Sequence, residues 1–114
     1  MQIKSTVRLP EINEFTLRFF QAVLDCEKAA QIEHTLTSAN DGLHSPASLH
    51  YENKAWDLRA KDKTAEQRTH TLAYLRGRLG YGWDVILETP ADPAKHHFHI
   101  ERDTRNYPDR RTNP

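Results

Sequence analysis

A chain of 114 residues makes one domain with room for a single modest core. Its sixteen basic and sixteen acidic residues cancel, which removes any bulk electrostatic case for a nucleic acid or an anionic membrane as partner. The single cysteine, Cys26, excludes an internal disulfide and a cysteine-built zinc site.

Met1 to Arg8 lacks the apolar segment of a secretory signal, and no apolar stretch is long enough to span a bilayer. The expectation is synthesis in the cytoplasm. Pro10 and Glu11 suit a helix start. Ile12, Phe15, Phe19, Val23 and Cys26 recur at helical spacing, widened by Leu17, Phe20 and Leu24, so a core-packing helix is expected from Pro10 to about Ala30. Cys26 reads as a small buried apolar residue, because nothing marks a base beside it. Gln31 to Ser38 alternates, with Ile32, His34 and Leu36 on one side, as an edge or half-buried strand in which His34 is structural.

Ala39 to Ser48 is a loop with a strong turn signal at Asn40-Asp41-Gly42. Lys54 to Arg59 reads as a short strand. Trp56 and Leu58 take one face; Asp57, with Ala55 and Arg59, takes the other. Thr64-x-x-Gln67 is a capping box that opens a second helix, with Leu72, Leu75 and Leu79 as its stripe and Gly80 as its stop. Tyr81 to Glu88 is expected to be a central strand, apolar on both faces at Val85-Ile86-Leu87. His97 to Glu101 alternates again, Phe98 and Ile100 against His97, His99 and Glu101. Arg102 to Pro114 is basic and nearly devoid of apolar residues, as in a solvated tail.

A catalytic zinc usually takes three protein ligands and keeps one position open for water. Histidine is the plausible ligand type here, and three of the seven histidines, His96, His97 and His99, fall within four residues. If the two alternating segments are neighbours in one sheet, Asp57 and His99 converge on one ion, with His50 arriving from the preceding loop. A histidine in a strand is commonly a surface or hydrogen-bonded residue, so a metal-free binding domain stays open on pattern alone.

Ser48-x-His50, Ala55, Asp57 seven residues beyond His50, and the late His97-x-His99 together resemble the zinc D-alanyl-D-alanine peptidase family. That family includes VanX-type dipeptidases, murein endopeptidases, phage endolysin peptidases and the hedgehog signalling domain. The similarity covers about residues 35–101, and Asp41-Gly42-Leu43-His44 through Asp57-Leu58-Arg59 is similar to small phage members in particular. Family members usually carry a glycine two or three residues after the first histidine. Here that segment is Tyr51-Glu52-Asn53-Lys54, in which Asn53 tolerates positive φ.

The resemblance implies an α+β fold: a small, mostly antiparallel sheet with two helices on one face and a zinc cleft on the other. It implies Zn²⁺ on His50, Asp57 and His99. Glu88 would be the general base, with Asp92 as the alternative. His97 would sit beside the scissile carbonyl, stabilising the tetrahedral intermediate or moving a proton. Ser48, Tyr51 and Arg59 would contact the substrate, Arg59 either orienting Asp57 or meeting a carboxylate. Glu101 would support His99 or stand exposed at the strand end. Residues 1–101 would form one monomeric peptidase domain, with 102–114 as the tail. Its partner would be a peptidoglycan stem or cross-bridge peptide, reached after release to the cell wall by a partner protein. The alternative is a non-catalytic zinc module of the hedgehog type.

Overall fold

The structure, a computed structural model, describes residues 1–9, 11–39 and 54–105. In chain order the elements are β1 (Gln2–Ile3), α1 (Glu14–Ala30), β2 (Thr35–Ser38), β3 (Ala55–Arg59), α2 (Ala65–Leu79), β4 (Trp83–Glu88), a 3-10 turn (Pro93–Lys95) and β5 (His97–Arg102). The fold is α+β: among the described residues it has two helices and one five-stranded mixed sheet in the order β1-β2-β3-β5-β4. Of its strand pairs β1–β2 is parallel, and β2–β3, β3–β5 and β4–β5 are antiparallel. Among the described residues, no helix is long and apolar enough to cross a membrane.

One sheet face and both helices share the core. Trp56 and Leu58 of β3, Val85 of β4, and Phe98 and Ile100 of β5 bury themselves with Phe19, Val23 and Cys26 of α1 and Leu75 and Leu79 of α2. Aromatic stacking ties the layers. The Phe19 ring lies 4.8 Å from that of Trp56, nearly parallel, and Trp56 in turn stacks on Trp83 at 5.9 Å. Such pairs add about 1 kcal/mol beyond the area they bury. Cys26 is fully buried; desolvation pushes its thiol up to about 11 despite a hydrogen bond with Thr71, so it stays an unreactive core group.

Local signals set the helix ends. At α2 the capping box is present as expected: Gln67 N donates to Thr64 Oγ1 at 3.1 Å, and Thr64 N donates to Gln67 Oε1 at 2.9 Å. Gly80 closes that helix, its N–H donating to Arg76 O. Helix α1 starts at Glu14, later than Pro10 and Glu11 suggest. Asn13 is the cap: its Oδ1 accepts from Thr16 N at 3.0 Å, and its own N donates to Thr16 Oγ1 at 3.3 Å. Leu17 and Leu24 are exposed, so the buried stripe of α1 is narrower than its apolar content, and Ile12, also exposed, precedes the helix.

Two further expectations need correction. Strand β4 is an edge strand, paired with β5 alone. Ile86 is 44% exposed because it points away from the helices. Arg102 and Asp103, placed by composition in the tail, are buried. Strand β5 runs through Arg102, whose Nη1 donates to Gly82 O and to Asp103 O at 3.0 Å and whose guanidinium lies 5.7 Å from the Phe15 ring. Gly82 permits this approach. It has φ +90°, and a Cβ there would come within 2.5 Å of Arg102 Nη1. The remaining tail, 106–114, lies outside the described residues.

His34 is wholly buried, with Nε2 3.0 Å from Thr71 Oγ1 and its ring inclined at 69° to that of Phe98. Desolvation first, then the charge of Lys63, lowers its pKa from 6.5 to about 4. The folded state therefore holds His34 neutral, while the unfolded chain takes up its proton first as pH falls. This contribution is fully present above pH 6.5 and is lost progressively down to about pH 4. The loss should total about 3 kcal/mol. Urea denaturation at pH 7.5 and 4.5 checks this: His34→Gln should show a markedly smaller drop than the native chain, and equal drops would contradict it.

Candidate functional site

The face of the sheet turned away from the helices carries the polar residues of β3, β5 and β4 in register. Three cross-strand rows result: Ala55–Glu101–Asp84, Asp57–His99–Ile86 and Arg59–His97–Glu88. Directly opposed residues have Cβ atoms about 5 Å apart, so each row brings side chains into contact. The structure thus brings together Asp57, His99, His97, Glu88 and Arg59 on one surface. His50, Ser48 and Tyr51, the other site residues expected from the sequence, lie outside the described residues.

His99 sits between two carboxylates. Its Nδ1 is 2.9 Å from Asp57 Oδ1, and its Nε2 is 2.7 Å from Glu101 Oε1. An ionised carboxylate only accepts, so both ring nitrogens donate and the ring is an imidazolium. Burial opposes that charge, but the hydrogen bond and charge of Asp57, and then of Glu101, outweigh it and raise the pKa to about 9. The three side chains are each only 15–17% exposed, which strengthens these interactions.

His97 is held differently. Its Nδ1 donates to Lys95 O at 2.9 Å, which leaves Nε2 directed at Glu88 Oε2, 3.5 Å away. In the neutral ring Nε2 is then the basic atom. Glu88 is nearly half exposed, within reach of water and of His97. Asp92, the alternative base, instead caps the 3-10 turn by accepting from Ala94 N at 3.0 Å. The His96 ring is tied to α2 and to Pro90. Arg68 Nη1 donates to its Nδ1 at 3.1 Å, and its Nε2 donates to Pro90 O at 3.0 Å. Arg68 Nε also donates to Ala60 O at 3.1 Å. These bonds fix the 89–96 segment against α2.

The donor set at Asp57 and His99 suits a divalent ion such as zinc. It offers one oxygen and one imidazole nitrogen close enough to share a centre, in surroundings that already favour positive charge. A metal there would replace the Nδ1 proton, while Nε2–H would stay on Glu101. A carboxylate behind a ligating histidine in this way fixes its tautomer and orientation. The pairing of Glu101 with His99 was left open by the sequence, since alternation fixes a shared face but not a bond. Among the described residues, Asp84, Glu101 and Asp103 also bring oxygens within 4.8 Å of one another. Arg105 balances them, 3.8 Å from Glu101 and 3.9 Å from Asp103.

A metal held by His99 would have to displace a proton from the ring. Below its pKa of about 9, apparent zinc affinity should rise about tenfold per pH unit, which competition titrations at pH 6, 7 and 8 would read. A flat profile would remove His99 as a ligand. Glu101→Gln should weaken zinc binding about 10- to 100-fold while leaving the fold intact by circular dichroism. Comparison with protein-family models and with curated proteins gives no match to this chain.

Proposed function

We propose that the chain is a zinc-dependent peptidase of the D-alanyl-D-alanine type, with a hedgehog/DD-peptidase-like fold and its zinc cleft on the sheet face away from the helices. Its substrates are peptide bonds in peptidoglycan stem or cross-bridge peptides. It works as a monomer, at the cell wall, after release by a partner protein. The observation that carries this reading is the contact of Asp57 with His99 across adjacent strands, 2.9 Å apart, with His97 and Glu88 in the next row. The Ser48-x-His50 motif upstream of Asp57 adds the third ligand and the similarity to the family.

His50, Asp57 and His99 would hold the ion. When bound, it supplies Lewis acidity, which makes water nucleophilic near neutral pH and polarises a carbonyl. The chain's own groups do the rest. Glu88 accepts a proton from the attacking water and later delivers one to the leaving amine. His97, anchored through Nδ1, presents Nε2 to the reacting carbonyl and, when protonated, donates to the developing oxyanion. Asp57 and Glu101 hold the His99 ring in one orientation. Ser48, Tyr51 and Arg59 position the peptide.

The test is mass spectrometry of purified peptidoglycan incubated with the protein, with and without a chelator. Chelator-sensitive loss of one defined peptide bond is expected. Glu88→Gln and His97→Ala should each keep zinc and lose about 10²-fold or more in rate. Intact muropeptides from zinc-loaded protein would replace this reading with a non-catalytic zinc module.

A further inference from the structure

A cavity of about 540 Å³ opens where the start of α1 meets the end of β5 and the start of β4. It belongs to the helix side of the sheet. Arg102, on its wall, shares a face of β5 with Phe98 and Ile100, opposite to His97 and His99. At about 3.4 Å per residue, Arg102 stands roughly 17 Å along the strand from His97. None of the lining residues belongs to the site described above.

Three cations from three segments line this cavity: Arg18 on α1, Lys54 before β3 and Arg102 at the end of β5. Arg102 is only 9% exposed, and its head is fixed by the carbonyls of Gly82 and Asp103 and by the Phe15 ring. Lys54 Nζ donates to Thr104 Oγ1 at 3.4 Å, which sets the amine against the same wall. One carboxylate lines it too, that of Glu14, one helical turn before Arg18. The aromatic residues have separate tasks. Phe15 meets Arg102 and, edge-on, Trp83, which itself stacks on Trp56, so these two rings close the floor. Tyr81, 46% exposed, presents its ring at the rim.

This wall dictates the chemistry of a ligand. Three cations in one concavity favour an acid group. The Glu14 carboxylate only accepts hydrogen bonds and repels a bare anion, so the ligand also brings hydroxyl donors. With Tyr81 as the exposed platform, it needs one ring with an apolar side, not a flat aromatic system clasped between two rings. The volume is that of a small-molecule site and, at a share of roughly 30 Å³ per water, holds a six-membered ring with its substituents. We propose that this cavity binds a sugar acid of the hexuronate type. Its carboxylate meets Arg18, Lys54 and Arg102, its hydroxyls meet Glu14 and Thr104, and its ring lies on Tyr81. A free sugar acid and an acidic unit of a polysaccharide offer the same groups. The assignment does not rest on the peptidase reading.

The whole protein is titrated with D-glucuronate, D-glucose, acetate and cyclohexanecarboxylate, followed by backbone amide NMR. Saturable shifts at Phe15, Arg18, Tyr81 and Thr104 are expected with glucuronate, weakening as salt rises. Glucose lacks the acid, acetate the ring and cyclohexanecarboxylate the hydroxyls, so each should bind about tenfold or more weakly than glucuronate. Glu14 and Arg18 are exposed, so their substitution spares the core. Arg18→Gln should raise the Kd for glucuronate about tenfold. Glu14→Gln should raise it as well, because hydroxyl partners weaken; a lower Kd would mean an adventitious ion only and overturn the assignment. Equal affinity for acetate and glucuronate, or for glucose and glucuronate, would overturn it too, as would shifts confined to the face of Asp57 and His97. A tetrasaccharide alternating glucuronate with N-acetylglucosamine separates the two sources. Tighter binding than the monomer marks a polysaccharide unit, and binding of the monomer alone marks a free sugar acid.

Discussion

The pairing of β3 with β5 is the constraint on which the rest depends. Trp56 opposite Ile100 and Leu58 opposite Phe98 drive their side chains into the helices. The same register sets Asp57 opposite His99 and Arg59 opposite His97 on the other face. Because strand side chains alternate, a slip of one residue would expose the four core residues and bury the polar ones. Hydrophobic burial is therefore what aligns the polar face, and no polar interaction has to find that alignment by itself.

On that face, neighbours decide what two histidines of identical chemistry do. His99 lies between Asp57 and Glu101, so positive charge is favoured on its ring. His97, two residues away, spends one nitrogen on a backbone carbonyl and turns the other toward Glu88, which suits a group that exchanges protons. The cations at Arg59, Lys61 and Lys95 border a cleft that Asp57, His96 and His97 also line. Charges of both signs therefore meet at this end of the strands.

Much of this was legible in the sequence because alternation is a local code. The shared faces of Asp57 with Arg59 and of His97 with His99 follow from counting, as do the Thr64 cap and the Gly80 stop. Other features were illegible because the deciding partner is distant. An apolar Val85-Ile86-Leu87 run looks the same at the edge of a sheet as in its middle; only strand order, set by tertiary packing, places β4 outside β5. Arg102 and Asp103 look like tail until Gly82 is seen to receive the guanidinium. Lys61 and Lys95 carry no local mark at all, since their convergence exists only once β3 and the 3-10 turn are assembled. The Asn13 cap of α1 did leave a trace, the reciprocal Asn13-x-x-Thr16 pair, but Pro10 and Glu11 upstream resembled a start just as well.

Arg68 has one more implication. Strands β3 and β5 are antiparallel neighbours, yet no tight turn joins them, because α2 and β4 intervene in the chain. Their shared end, where Ala60 leaves and His96 enters, is closed by a backbone hydrogen bond from Ala60 N to His96 O and by Arg68, which binds Ala60 O and the His96 ring together. A side chain from the first turns of a helix thus does the work of a missing hairpin loop. Fraying at the start of α2 would be transmitted to this end of the ladder, where Arg59 and His97 stand, so the helix cap at Thr64 is mechanically part of the cleft.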